Sequence, residues 1–130
     1  MLRIGVIGLG SMGKNHARVC SELGTIQLAG VSDIDATVVK NIADRFHTKP
    51  FYNHKDMIKE IDAAIIATPT VTHHKIAMDM LNQGKHVLVE KPICDSVQKA
   101  EEMARKAKGI EKPEYIIKDV IGIGKIIKTD

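Results

Sequence analysis

The stretch that decides the fold is Leu2-Arg3-Ile4-Gly5-Val6-Ile7-Gly8-Leu9-Gly10-Ser11-Met12-Gly13. Leu2 to Ile7 is an apolar run that reads as a strand. Met12, His16, Val19, Cys20 and Leu23 then recur at helical spacing, and Gly24 stops that helix. Between strand and helix lies G-x-G-x-x-G. The pattern is weak by itself, but here it directly follows a predicted strand and opens a predicted helix. Gly8 permits a tight turn, Gly10 lets a ligand reach the backbone, and Gly13 lets the helix pack on the strand. The helix N-terminus adds free N–H groups and the positive end of a dipole, which together suit a phosphate.

An acidic residue completes the pattern. Asp33 ends the second apolar run, Ile26 to Val31, twenty positions after Gly13. At that place a carboxylate accepts hydrogen bonds from ribose hydroxyls and repels a 2′-phosphate. No arginine follows in Ile34-Asp35-Ala36. The motif therefore points to a dinucleotide, with NAD favoured over NADP. The alternative is a glycine-rich turn that holds no ligand.

Further along, short apolar runs alternate with periodic ones. Asp35 can cap a helix with Val39, Ile42, Ala43 and Phe46 inward. Pro50-Phe51-Tyr52 reads as a short strand, and Asn53 can cap a brief helix carrying Met57, Ile58 and Ile61. Ala63-Ala64-Ile65-Ile66-Ala67 is continuously apolar, as a strand buried on both faces should be. Thr72 opens a helix with Ile76, Ala77, Met80 and Leu81 inward, which Gly84 closes. His86 to Val89 is a further strand. Asp95 or Ser96 opens a last helix, with Val97, Ala100, Ala104 and Ala107 expected on its inner face and Gly109 at its end. Strand–helix alternation of this kind predicts an α/β fold with a doubly wound parallel sheet, a Rossmann fold with helices on both faces.

The chain's 130 residues suit one domain. Residues 1–109 are expected to form the dinucleotide-binding unit and 110–130 an apolar tail. Composition narrows the partners. Nineteen Lys and Arg against sixteen Asp and Glu leave a mild charge of +3, mixed along the chain, with four Phe and Tyr and no Trp. That is no basis for nucleic-acid binding. No run nears the ~20 apolar residues of a membrane span. Two cysteines, Cys20 and Cys94, form neither a disulfide framework nor a metal motif, so a reducing cytoplasmic setting is expected and no metal site is assigned.

More chemistry sits at predicted C-terminal strand ends, where open parallel sheets bind ligands. Thr68-Pro69-Thr70 offers hydroxyls to a cofactor, or else a proline turn with a capping threonine. His73 and His74 follow in the next helix, and His16 lies on the apolar face of the first, as a core or interface histidine would. Glu90-Lys91-Pro92 ends the fifth strand. Its two charges are either a local ion pair, worth little if exposed, or a device that places the Lys91 ammonium in the pocket to hold a substrate hydroxyl and tune its proton transfer.

Taken together, the glycine motif, Gly13-Lys14-Asn15-His16, Asp62-Ala63-Ala64-Ile65-Ile66-Ala67-Thr68-Pro69-Thr70 with His73, and Gly84-Lys85-His86-Val87-Leu88-Val89-Glu90-Lys91-Pro92 resemble the Gfo/Idh/MocA oxidoreductases over Leu2 to about Lys108. The resemblance implies an NAD(P)-binding Rossmann domain of a sugar or polyol dehydrogenase, working by hydride transfer with nicotinamide. It implies that Lys91 contacts cofactor and substrate, and that the peptide before Pro92 is cis. The candidate cofactor-binding residues are then Gly8, Leu9, Gly10, Ser11, Met12, Gly13, Asp33, Ile34, Thr68, Pro69, Thr70, His73, Glu90, Lys91 and Pro92, with Lys91 the candidate catalytic residue. The family's substrate domain has no counterpart here. Residues 110–130 resemble a compressed crossover into it, with the sixth strand deleted or degenerate, so the chain is expected to be truncated. The alternative function is a non-catalytic dinucleotide-binding module, or one part of a split or truncated enzyme. Ile116, Ile117, Val120, Ile121, Ile123, Ile126 and Ile127 make the tail a candidate homo-oligomer surface.

Overall fold

A computed structural model describes residues 1–109 in full, and of the remainder the backbone of 115–117 and 126–128. Five parallel strands lie in the order β3-β2-β1-β4-β5: β1 Leu2–Ile7, β2 Ile26–Ser32, β3 Pro50–Phe51, β4 Ala63–Ile66 and β5 His86–Val89. The order reverses between β1 and β4, which opens a crevice at their C-terminal ends.

Helices cover both faces, as the alternation requires. One face packs α1 (Ser11–Glu22) and α2 (Ala36–Phe46) on Ile4, Val6, Val31, Ala63 and Ile65. The other packs the 3₁₀ segment His54–Glu60, α3 (His73–Leu81) and α4 (Val97–Lys108) on Ile7, Ala64 and Ile66. Every residue of β4 is buried, so its unbroken apolar run serves two cores at once. Among the described residues three side chains cap helices, Ser96 rather than Asp95 at α4, while Thr72 precedes α3 without a side-chain cap bond. Asp35 accepts the N–H groups of Thr37 and Val38, Asn53 that of Lys55, and Ser96 that of Lys99.

One expectation fails in α4. Val97 is 74% exposed and Ala104 and Ala107 are exposed as well, while Met103 is the buried residue. Only a narrow stripe of α4 meets α3 and the sheet, and one long side chain fills that contact. In the tail, Tyr115–Ile117 pairs antiparallel with Ile126–Lys128, a ladder the sequence had not announced. Val120, Ile121 and Ile123 lie outside the described residues, as do all tail side chains. Among the described residues no helix is long and apolar enough to cross a membrane, and no cluster of His, Cys, Asp and Glu is arranged to hold a metal ion.

At the opposite end of the sheet, Arg3 donates from Nη2 to Asp62 Oδ1 at 3.0 Å and from its backbone N–H to Oδ2 at 2.8 Å. These bonds hold the Asp62 carboxyl below its ordinary range. Its folded value lies under the unfolded one, so the contribution is complete above about pH 4 and is lost as pH falls through the folded value. Both side chains are partly exposed, at 42% and 37%, so the pair is worth about 1 kcal/mol or less. Asp62→Asn is expected to lower the Tm at pH 7 by roughly 4 °C or less. The gap to wild type should close as the pH is taken down in a thermal-denaturation series. A gap independent of pH would remove the pair from the acid response.

Candidate functional site

The site starts from two glycines that cannot be replaced for different reasons. Gly8 has φ +92°, and a Cβ there would stand 2.6 Å from the Ala67 carbonyl and 2.8 Å from the Thr68 nitrogen. Gly13, at the start of α1, has no room either: its Cβ would lie 1.7 Å from the Gly8 carbonyl oxygen. The turn, the helix and the end of β4 are thus pressed together. Gly10 is different. A Cβ on it would meet nothing within 4 Å, so no neighbour in the protein requires glycine there. The backbone at Gly10 is left bare toward open space.

Gly10 is also the N-cap of α1 and gives the helix no side-chain hydrogen bond, in contrast to the Asp35 and Ser96 caps. The first-turn N–H groups of Ser11, Met12 and Gly13 therefore remain available at the positive end of the helix dipole. Asp33 sits beside the turn at the end of β2. Its Oδ2 accepts the Leu9 N–H at 2.7 Å and its Oδ1 accepts the Asp35 N–H at 3.0 Å. The two bonds fix the carboxylate, and each oxygen keeps a second lone pair for a hydroxyl donor.

These parts border a cleft of about 720 Å³ whose walls include Leu9, Gly10, Asp33, Ile34, Thr68 and Pro69. Ile34 is fully exposed at its edge. Tyr52, Asn53 and His54, which follow β3, line it too. The sequence reading missed them, although the position just after a parallel strand was the available signal. A larger groove of about 1030 Å³ lies beside the 3₁₀ segment and the end of α3. Its walls carry mixed charges such as Lys59, Glu60 and Lys85, and the glycine turn is not among them. Size does not decide between the two. The bare helix N-terminus and the fixed carboxylate favour the smaller cleft.

The remaining candidates separate into two groups. Thr68, Pro69 and Thr70 stand where β4 ends. Thr72 Oγ1 donates to the Pro69 carbonyl at 2.6 Å and lies 2.7 Å from Thr68 Oγ1, so these hydroxyls shape the turn as well as face the cleft. Lys91 and Pro92 are exposed, the peptide between them is cis, and the Lys91 ammonium makes no hydrogen bond or ion pair among the described residues. Glu90 does not pair with Lys91. Its partner is His16 of α1, which is 2% exposed. His73 gives the cleft no surface. It is 1% exposed, with Nε2 2.8 Å from the Thr68 carbonyl oxygen and Nδ1 3.0 Å from that of Pro92. His74 faces Glu102 of α4 at 3.4 Å, away from the cleft. Burial drives the Cys20 thiol up to about 12, which leaves it inert at neutral pH.

The residues present fit a dinucleotide: bare backbone and open N–H groups for a pyrophosphate, a fixed carboxylate for a ribose, and an apolar-edged cleft on the same side. Comparison with known proteins agrees. Residues 2–115 match the model of an oxidoreductase family with an NAD-binding Rossmann fold, Gfo/Idh/MocA. The chain is 34% identical over 100 residues to glucose-6-phosphate 3-dehydrogenase of Bacillus subtilis, covering 77% of this chain and 29% of that protein. It superposes on GenD2 from gentamicin A biosynthesis, solved with NAD, with a TM-score of 0.81 at 32% identity, covering 84% of this chain and 32% of the other. KijD10 of Actinomadura kijaniata, a 3-ketoreductase solved with TDP-benzene and NADP, shares the fold at a TM-score of 0.78 and 23% identity, over 83% and 35% of the two chains. The chain thus spans about a third of the length of these proteins. On its family match, its parallel five-stranded sheet and its glycine turn, the chain belongs to the Gfo/Idh/MocA oxidoreductases and forms their NAD(P)-binding Rossmann fold.

Proposed function

We propose that residues 1–109 bind NAD, in preference to NADP, across the C-terminal ends of the sheet. They would form the cofactor half of a dehydrogenase acting on a secondary alcohol of a sugar or polyol. The observation that carries this is the Leu9–Asp33 hydrogen bond of 2.7 Å. It places a carboxylate against the glycine turn, where an adenosine ribose would lie. The N–H groups of Ser11, Met12 and Gly13 hold the pyrophosphate, and Ile34 and Pro69 offer apolar walls to the base. Thr68 and Thr70 stand toward the other half of the ligand, beyond the switch point. When bound, the nicotinamide supplies the hydride acceptor. Lys91, at the end of β5, holds the substrate hydroxyl through its ammonium and tunes the departure of the hydroxyl proton. The substrate class rests on what the relatives' names state.

Titration by NADH fluorescence tests the cofactor choice. The wild-type chain is expected to bind NADH about tenfold more tightly than NADPH, a difference of about 1.4 kcal/mol. Asp33→Ser should bring the two affinities together. A ratio unchanged by the substitution would remove Asp33 from the ribose site. A screen of polyols and sugar nucleotides for NAD reduction then separates enzyme from module. Binding with no turnover on any of them favours a dinucleotide-binding module or one part of a split enzyme.

A further inference from the structure

Lys91 is exposed, yet the residues on either side of it are gripped from inside the protein. Before it, Glu90 pairs with His16, whose side chain is 3% exposed on the inner face of α1; the Glu90 side chain is itself only 12% exposed. After it, the carbonyl oxygens of Pro92 and Ile93 lie 3.0 and 3.2 Å from His73 Nδ1. The same ring reaches the Thr68 carbonyl through Nε2 at 2.8 Å. A carbonyl oxygen only accepts, so the bond at whichever ring nitrogen carries the N–H is donated by the ring. The grip thus comes from two helices, α1 on one face of the sheet and α3 on the other, and both begin at the cofactor-facing end. Neither ring opens onto the cleft. Buried polar side chains need partners, and three of the four groups that these two reach lie in the segment around Lys91.

We infer that His16 and His73 are positioning residues that together brace the Glu90–Ile93 segment, so that the Lys91 ammonium is presented at a fixed place beside the nicotinamide half of the cofactor. His73 also couples that segment to the Thr68 turn, so the two loops flanking that half are held as one unit. This rests on the proposed dinucleotide reading. The sheet order supplies the direction: Asp33, on β2, lies on one side of the switch point, and Lys91, on β5, lies on the other. A lysine side chain has much rotamer freedom. Fixing the backbone on both sides of it is the means this fold has of limiting where the ammonium goes.

The test uses the full chain with His16→Leu, His73→Leu, and the milder His16→Gln and His73→Gln, which keep an N–H donor. Hydrogen exchange of the Glu90 amide, which donates to the Ile66 carbonyl at 3.0 Å, reads the brace without any ligand. Each Leu variant should speed it about tenfold relative to the β4 amides, and the Gln variants less. NADH and ADP titrations then read its purpose. The Leu variants should lose about tenfold in NADH affinity while ADP affinity stays within about twofold, since ADP lacks the nicotinamide half. In a Lys91→Ala background, His73→Gln should cost no further NADH affinity, as expected of residues that act through one another. Should a Leu variant fail to fold, its Gln counterpart carries the same comparisons. Unchanged exchange at Glu90, equal losses of NADH and ADP, or additive losses with Lys91→Ala would each overturn the brace. A wild-type chain that ignores both NADH and ADP overturns the dinucleotide reading instead, and with it the purpose assigned to the brace.

Discussion

Gly10→Ala is expected to keep the fold and weaken dinucleotide binding, whereas Gly13→Ala is expected to destabilise the fold. The contrast comes from what a methyl group would meet. At Gly13 it would stand 1.7 Å from a backbone oxygen of Gly8, which cannot move aside without opening the turn or lifting α1 from the sheet. Strain on that scale should cost about 3 kcal/mol or more and lower the Tm by roughly 10 °C or more. At Gly10 the methyl meets nothing, and the backbone at φ −71°, ψ −165° suits any residue. Loss of a glycine N-cap should cost below about 1 kcal/mol. The methyl would, however, occupy the space through which the proposed pyrophosphate would approach the first turn. NADH affinity should fall at least about tenfold. Thermal denaturation and NADH titration of the two variants check both halves. Equal Tm losses in the two, or full NADH affinity in Gly10→Ala, would contradict the division of roles.

Met57→Ala should be among the most destabilising single changes in the described part of the chain. Met57 is fully buried and lies in a groove that two glycines create. A Cβ on Gly5 would be 2.6 Å from its terminal methyl, and one on Gly30 would be 2.9 Å from its sulfur. Gly5 and Gly30 are paired neighbours on β1 and β2. One side chain from the 3₁₀ segment thus fills the depression made by both, with Phe51 and Ile61 close by. Truncation leaves a cavity that the strands cannot close. The expected cost is about 2–5 kcal/mol, against a total stability of about 5–15 kcal/mol for a domain of this kind. Urea denaturation should show it as a lowered midpoint at unchanged slope. A loss below about 1 kcal/mol would mean that the groove collapses around the smaller side chain.

What was legible in the sequence is what local chemistry determines. The glycine turn, β1, α1, Asp33 and the doubly buried β4 follow from spacing and from residue types with one structural use. The caps at Asp35, Asn53 and Ser96 follow for the same reason. What escaped depends on contacts distant in sequence. A local ion pair of Glu90 with Lys91 was one of the two readings its sequence allowed, but the partner of Glu90 is His16, 74 positions away. A histidine on the apolar face of α1 was the clue, and nothing local names what satisfies it. His73 was placed with the cofactor by the family resemblance; its ring is turned inward, to main-chain carbonyls. In α4 an alanine stripe looked like a core face. Alanine reflects helix propensity as readily as burial, and the helix leans on the sheet through Met103. The end of α2 was equally hidden, because His47, at φ 54°, takes the left-handed position that a glycine would have announced.

The most direct test of the dinucleotide site is to follow the backbone amides by ¹⁵N–¹H NMR while NAD is added. The largest shifts are expected at the glycine turn, in the first turn of α1 and at Asp33, with smaller ones at Thr68 and Lys91. The amides of Lys59 and Lys85, at the larger groove, should stay in place. Shifts gathered in that groove, or none anywhere at millimolar NAD, would contradict the account.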